Sequence, residues 1–375
     1  EASREDVYGF TVTADDTNLD AESFTPVLTA VVQTESGVFE TKEISLGAMR
    51  TVEAGKTYAY TVSNLPEDAI YTLSCTVTDM ALMRLEDGNE YDSVQFSVNR
   101  EGSNFLLTND TSDLVAQYYV YGLSEDVVIR EINVDPVETY TVRLNGEILL
   151  EDRDYDTTIS GGGDSWSERV YRIDKEMFEE EGEYSVSIES TDKTDTVSYS
   201  DVKNAAVTFV VDQSAPIVSI SGLESGGRYE TDEQTVTVLP TDEGGKLNSF
   251  SAHVLDAEGN PLMDKNGKDI SSLISLDGEY LEEYLEEHEG KVTFTVPEGI
   301  DSQVQIICTD CALHPDGTTN TYNEIFEDIT VSRSGWIMFY ANKTLFYGMI
   351  AGIAGVTAAG IGFIFWRKKK RQNAE

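Results

Sequence analysis

Basic residues are scarce in this chain: 26 Lys and Arg stand against 69 Asp and Glu, a formal charge of −43 over 375 residues. A surface of that sign repels phosphate backbones and anionic lipid, which argues against nucleic acid as a partner. Cysteine is scarcer still, with only Cys75, Cys308 and Cys311. That excludes a disulfide-built extracellular scaffold. Histidine is equally rare, and His253, His288 and His314 sit in no H-E-x-x-H or triad-like setting. Cys308 and Cys311 form a C-x-x-C, but no second Cys or His cluster accompanies it, and a closed zinc site takes four ligands. In extended chain an i, i+3 pair lies about 10 Å apart on opposite faces, so core or loop thiols are expected. Gly161-Gly162-Gly163 is followed by no Lys-Ser/Thr and reads as a hairpin tip, not a phosphate loop. Carboxylates are plentiful, but the separation of an acid/base pair is a tertiary property that spacing does not give. No enzymatic constellation is expected, and no cofactor apart from calcium.

Long apolar runs are missing until residue 345, where an uncharged stretch from Leu345 to Trp366 begins. At about 1.5 Å per residue it spans roughly 33 Å, the hydrocarbon thickness of a bilayer. Arg367, Lys368, Lys369, Lys370 and Arg371 follow at once, while Lys343 is the one basic residue close to the other flank. The positive-inside bias then puts the C-terminus in the cytoplasm and residues 1–344 outside, in a single-pass plasma-membrane topology. Without the tail's five basic residues and Glu375, 21 basic and 68 acidic residues remain, a formal charge of −47 on the outer part. Trp336, Phe339, Tyr340, Phe346 and Tyr347 form an outer aromatic belt, and Trp366 marks the inner boundary. Within the run, Gly348, Gly352, Gly355, Ala359 and Gly362 recur at steps of four and three, a flat face that would let two such helices self-associate.

The outer part reads as all-β: alternating Val, Ile, Thr, Tyr and Phe, broken by turn dipeptides at Asp87-Gly88, Asn145-Gly146, Asn266-Gly267 and Asp277-Gly278. It also repeats. YTLSCTVTD from Tyr71, YSVSIESTD from Tyr184 and VQIICTD from Val304 all run into Thr-Asp, with Asp79, Asp192 and Asp310 spaced by 113 and 118 residues. Closing strands follow at 94–98, 207–211 and 325–331, and Phe96 and Phe209 are again 113 apart. One domain type therefore occurs three times, at 1–100, 101–213 and 214–333. A membrane-proximal aromatic segment at 334–344, the helix at 345–366 and a basic tail at 367–375 complete the chain. Glu279 to Glu287 reads as a short amphipathic helix through Leu281, Tyr284, Leu285 and His288, with a counterpart at Lys175 to Glu181. Alternation through Tyr118-Tyr119-Val120-Tyr121 puts Tyr119 and Tyr121 together on one packed face.

The stretches IDKEMFEEEGEYSVSIESTD (173–192) and VTFVVDQSAPIVSISG (207–222) resemble the bacterial immunoglobulin-like repeats of Gram-positive, clostridial-type cell-surface proteins. FSVNREGSNF (96–105) and the tail NKTLFYGMIAGIAGV resemble the same group. The resemblance implies three tandem Ig-like β-sandwiches outside the cell, followed by a single transmembrane α-helix. Two departures stand out: Lys193-Thr194-Asp195 replaces the Ala-Gly-Asn that often follows the Thr-Asp turn, and no LPxTG sorting signal precedes the apolar run. Anchoring would then rest on the retained helix.

Calcium is the one ligand with sequence support. Asp152, Asp154 and Asp156 form a D-x-D-x-D ladder, the oxygen-rich opening of a calcium loop, but Thr157 stands where that loop needs Gly. A second acidic group is Asp87, Asn89, Glu90 and Asp92. The expected partners are the lipid bilayer, a second copy through the glycine face and, if the sandwich loops bind, a host protein or glycan. The chain opens at Glu1 without Met or signal peptide, so a mature product or the C-terminal piece of a longer protein is expected. The sequence thus implies a non-enzymatic surface stalk and anchor that projects an upstream module, adhesive if its sandwich loops bind, with the spacer and anchor of a surface hydrolase as the alternative. On helix association, replacing Gly352 and Gly355 by Leu is expected to reduce dimerisation in a membrane reporter; an unchanged signal would discard that role.

Overall fold

The computed structural model describes residues 2–3, 7–13, 20, 25–34, 37–46, 50–53, 57–63, 65, 67–76, 93–163 and 165–372. The first Thr-Asp, the Asp87-Gly88 turn and the acidic group 87–92 lie outside them. The described chain is mostly β, in several sheets, and ends in one long apolar helix. It divides into two compact units. The first comprises Glu1–Tyr118 with Gly122–Val211, the second Tyr119–Tyr121 with Asp212–Glu375.

In the first unit, Ala69–Thr76 lies between Ser93–Val98 and Thr25–Gln33 in a five-stranded sheet, and Val7–Thr13, Thr57–Ser63 and Arg50–Glu53 make a three-stranded one. Tyr71 is fully buried among Leu28, Ala30, Leu65 and Val98, stacks on Phe96 at 5.3 Å, and donates its hydroxyl to the Glu67 carbonyl. Downstream, Tyr155–Gly162, Ser165–Ile173, Val127–Asn133 and Asn104–Leu107 form a four-stranded sheet. Opposite it run Val137–Leu144, Gly182–Asp192 and Val207–Val211. Asn145-Gly146 closes its hairpin with φ of 51° and 82°, the left-handed pair a type I′ turn requires. Gly161, Gly162 and Gly163, all at positive φ, form the expected hairpin tip.

A buried acid ties these two sheets. Glu131 is 1% exposed, and its two carboxylate oxygens accept the Tyr171 hydroxyl from the neighbouring strand and the Ser190 hydroxyl from the facing sheet. Burial and the adjacent Glu131 charge push the Tyr171 phenol well above its ordinary range, so it stays a donor.

In the second unit, Ile217–Ser221, Glu233–Thr241 and Val292–Pro297 form one sheet. Tyr119–Val120, Gly299–Leu313, Leu247–Leu255 and Ser272–Asp277 belong to the other, with Thr319–Val331 paired to Gly299–Leu313. Val236, Val238 and Phe294 from the first meet Phe250, Val304, Ile306 and Cys308 from the second in one core. Each such side chain contributes about 1.5–3 kcal/mol on burial.

Helix α1 (Asn109–Gln117) precedes Tyr119. Helix α2 (Gly278–Glu287) sets Leu281, 1% exposed, onto the second core with Tyr284 and Leu285 beside it, as the apolar spacing expects. A 3₁₀ turn at Lys175–Phe178 stands at the counterpart position. Asp277-Gly278 is not a hairpin turn: the strand runs directly into α2, because the residues beyond it carry helical, not alternating, periodicity. The Tyr119–Tyr121 expectation also fails. Val120 is the buried residue, and Tyr121, 37% exposed, stacks instead on His314 at 3.9 Å. The chain ends in α3 (Gly335–Ala341) and α4 (Lys343–Gln372), the latter longer at both ends than 345–366.

Tyr171→Phe and Ser190→Ala each remove one donor from the buried Glu131 carboxylate, and each is expected to cost about 1–3 kcal/mol of first-unit stability. Denaturant unfolding checks this; wild-type midpoints for both variants would refute the tie.

Candidate functional site

The repeated Thr-Asp has a structural meaning that its sequence pattern does not show. Along Gly182–Asp192 the inward row is Tyr184, Val186, Ile188, Ser190 and Asp192; along Gly299–Leu313 it is Val304, Ile306, Cys308, Asp310 and Ala312. The aspartate is thus an inward position in an otherwise largely apolar row. Asp192 is 1% exposed and Asp310 0% exposed. A carboxylate there needs donors, a cation or a proton.

The first unit supplies donors. Asn99 and Asn133 each direct an amide nitrogen at Asp192 Oδ2, at 2.8 and 3.1 Å, and Oδ1 accepts the backbone N–H and hydroxyl of Thr194 and the N–H of Thr196. Asn99 also reaches Asp135 Oδ2 at 3.3 Å, while Asp135 Oδ1 takes the Ser97 hydroxyl at 2.8 Å. Although burial opposes it, this set of donors holds the Asp192 carboxyl below its usual range.

The second unit places acids where the first has amides. Asp212 follows Asn99 by 113 residues, and Asp242 stands just past Glu233–Thr241 as Asn133 stands at the end of Val127–Asn133. One oxygen from each of Asp212, Asp242 and Asp310 lies within 4.8 Å of the others. Asp310 is bonded by Asn320 Nδ2 at 2.9 Å and by the Ala312 N–H at 3.0 Å. The same Asn320 nitrogen holds the Asp212 carbonyl at 3.1 Å, which leaves its oxygen to accept from His314 Nε2 at 2.8 Å. Asp242 Oδ1 accepts the Gly245 N–H, while its Oδ2 is buried without a hydrogen bond. A Cβ on Gly245 would stand 2.0 Å from Asp212 Oδ2, so any larger residue there would displace the Asp212 carboxylate. Burial raises the Asp310 pKa, and the Asp242 charge adds to the rise against the pull of Asn320.

Three converging carboxylates form the kind of oxygen set a hard divalent cation takes. Among the described residues, the other such group is Asp126, Asp174 and Glu176. Burial and the charges of Asp126, Glu176, Asp156 and Asp154 raise the Asp174 pKa. The sequence ladder itself is not drawn together. Asp152 sits in a turn at φ 61°, Asp154 is held by Arg153 and the Leu150 N–H, and Asp156 lies on the strand Tyr155–Gly162. The repeat spacing pointed to Asp310; nothing in the local sequence pointed to Asp242, whose part depends on the strand before it.

The remaining candidates lie elsewhere. Cys75, Cys308 and Cys311 are free thiols, Cys308 buried and Cys311 half-buried on the same strand. Gly348, Gly352, Gly355 and Gly362 line α4 with nothing within 4 Å of an added Cβ, and Ala359 is exposed. Arg367 lies over the Phe363 ring at 5.8 Å, and Lys368 to Arg371 continue the helix. Compared with protein-family models and with curated proteins, the chain matches none.

Two opposite pH dependences follow. A folded-state pKa below the unfolded value makes Asp192 stabilising above the ordinary carboxylate range of about 4, a contribution lost as pH falls through its lower folded value. A raised folded value makes ionised Asp310 destabilising near neutrality, a cost relieved as pH falls through that value. Asp242→Asn would put an amide donor where Asn133 supplies one. It is expected to raise the second unit's melting temperature by about 2–4 °C at pH 7 and to shrink its gain on mild acidification. A lowered melting temperature at pH 7 would contradict this account.

Proposed function

We propose that this chain is a non-enzymatic stalk and anchor of a Gram-positive bacterial cell surface. In this reading residues 1–100, 101–213 and 214–333 are three tandem Ig-like β-sandwiches outside the cell, and the C-terminal helix is a single membrane span with a cytoplasmic basic tail. The observation that carries it is α4. Over Lys343–Arg367, 25 residues, none of the most apolar stretch is covered by the rest of the chain. Apolar surface on that scale needs another solvent, and about 1.5 Å per residue gives roughly 37 Å, enough to cross a bilayer with some tilt. Arg367 to Arg371 at one end favour the cytoplasm for that end.

The core around Leu28, Tyr71 and Val98 in the first unit and the core around Phe250, Val304 and Ile306 in the second support the stalk reading. The acidic exterior fits a solvated, projecting segment that stays off anionic surfaces.

Expressed in a Gram-positive host, the chain is expected in the membrane fraction after carbonate wash, with a tag before residue 2 labelled on intact cells and a tag after residue 375 protected. Recovery in the soluble fraction would end the anchor reading. The reverse labelling pattern would end the topology.

A further inference from the structure

We infer that α3 is a lipid-interface foot, clamped to the base of the C-terminal unit, so that this unit stands on the bilayer at a fixed angle and does not swing on a flexible tether. The inference rests on α4 being a membrane span. Its own content is the fate of the residues just before that span.

The clamp begins at Arg228, on the short strand Arg228–Tyr229 beside Thr330 and Val331. Its Nη1 donates to the carbonyls of Gly226, Gly227 and Asp328, and its Nη2 reaches the carbonyl of Ala341, the last residue of α3, at 3.0 Å. Helix carbonyls at a C-terminus lack intrahelical partners, so a planar guanidinium is well matched to the place. Ala341 itself is 1% exposed. One residue beyond it the chain breaks direction: Asn342 leaves helical geometry with ψ 80°, and its Oδ1 accepts the Leu345 N–H at the start of α4.

A second tie follows at once. Lys343 Nζ lies 3.5 Å from Asp301 and 3.6 Å from Asp328. Both aspartates have positive φ, 50° and 56°, on the two paired strands of the sheet above. Two independent irregularities thus aim carboxylates at one ammonium. The third tie is aromatic: Phe346, in the first turn of α4, packs edge-on against Phe339 at 5.9 Å and Tyr340 at 5.1 Å. These ties fix both the helix–sheet and the helix–helix angle.

With one side of α3 held, the other is left open. Trp336 is 79% exposed and Tyr340, one turn on, 56% exposed. Amphipathic rings on a free helix face fit the headgroup and acyl boundary, and the face is continuous with the apolar surface of α4. Three acids of this region are engaged by cations, Asp232 by Arg333 at 3.0 Å and Asp301 and Asp328 by Lys343. The occupant is therefore zwitterionic lipid, and the strong negative charge of the outer part argues against an anionic one.

The test uses the full chain in phosphatidylcholine vesicles carrying bromine near the headgroup end of the acyl chains, with tryptophan quenching read in wild type, Trp336→Phe and Trp366→Phe. Loss of part of the quenching in Trp336→Phe is expected. Quenching that survives in Trp336→Phe and vanishes in Trp366→Phe would leave the anchor standing and refute the foot; no quenching in any of them would refute the anchor. Arg228→Ala, with the unit's melting transition retained, is expected to speed tryptic cleavage after Lys343 about tenfold, as a clamped segment opens more often. If it unfolds the unit, Asp301→Asn with Asp328→Asn gives the same reading from the other tie. Unchanged cleavage in a folded variant refutes the clamp.

Discussion

An acid facing inward at the end of an alternating strand is the constraint around which much of this structure is arranged. The pleat leaves no choice about its direction: once Val304, Ile306 and Cys308 face the core, Asp310 faces it too. A lone buried carboxylate is costly, so the loops and neighbouring strand ends must answer it. Around Asp192 they answer with amides and hydroxyls, and the result is a buried polar network that gathers Ser97, Asn99, Asn133 and Asp135. Since Asn99 follows Ser93–Val98 and Asn133 ends Val127–Asn133, that network also joins strands of two different sheets within the first unit. The polar tie at Glu131 applies the same logic deeper in the same unit.

The second unit meets the same requirement with a different result. Asn320 supplies the side-chain amide donor to Asp310, and Asp212 and Asp242 add charge where the first unit has amides. Networks of this kind are stabilising when complete and expensive when partly satisfied. The two inward aspartates therefore respond to acid in opposite directions, Asp192 losing a favourable charge and Asp310 an unfavourable one. The difference lies in the few side chains around each carboxylate.

Much of the β character was legible because alternation and the 113-residue spacing are properties of the strands themselves. Leu281, Tyr284 and Leu285 announced α2 for the same reason, a periodicity contained in a few consecutive residues. Tyr119 and Tyr121 misled because the short strand Tyr119–Val120 pairs with the distant Leu313, and that partner decides which side is covered. Asp152, Asp154 and Asp156 misled in another way. Spacing suggested a shared ligand, but a left-handed turn at Asp152 and the Arg153 ion pair separate their roles. Asp242 was invisible because its significance comes from two aspartates, one 30 residues before it and one 68 after.

The charges around α3 follow from the same accounting. Several acids at this end of the second unit carry a partner. Lys343 takes two of them, Arg333 takes Asp232, and the Ser332 hydroxyl bonds Glu298. What remains on the outer face of α3 is aromatic. Single surface ion pairs contribute little to stability, so their concentration here is better explained by neutralisation than by strength. In the anchor reading proposed above, a neutralised, aromatic α3 would let this end of the second unit approach lipid despite the chain's acidity.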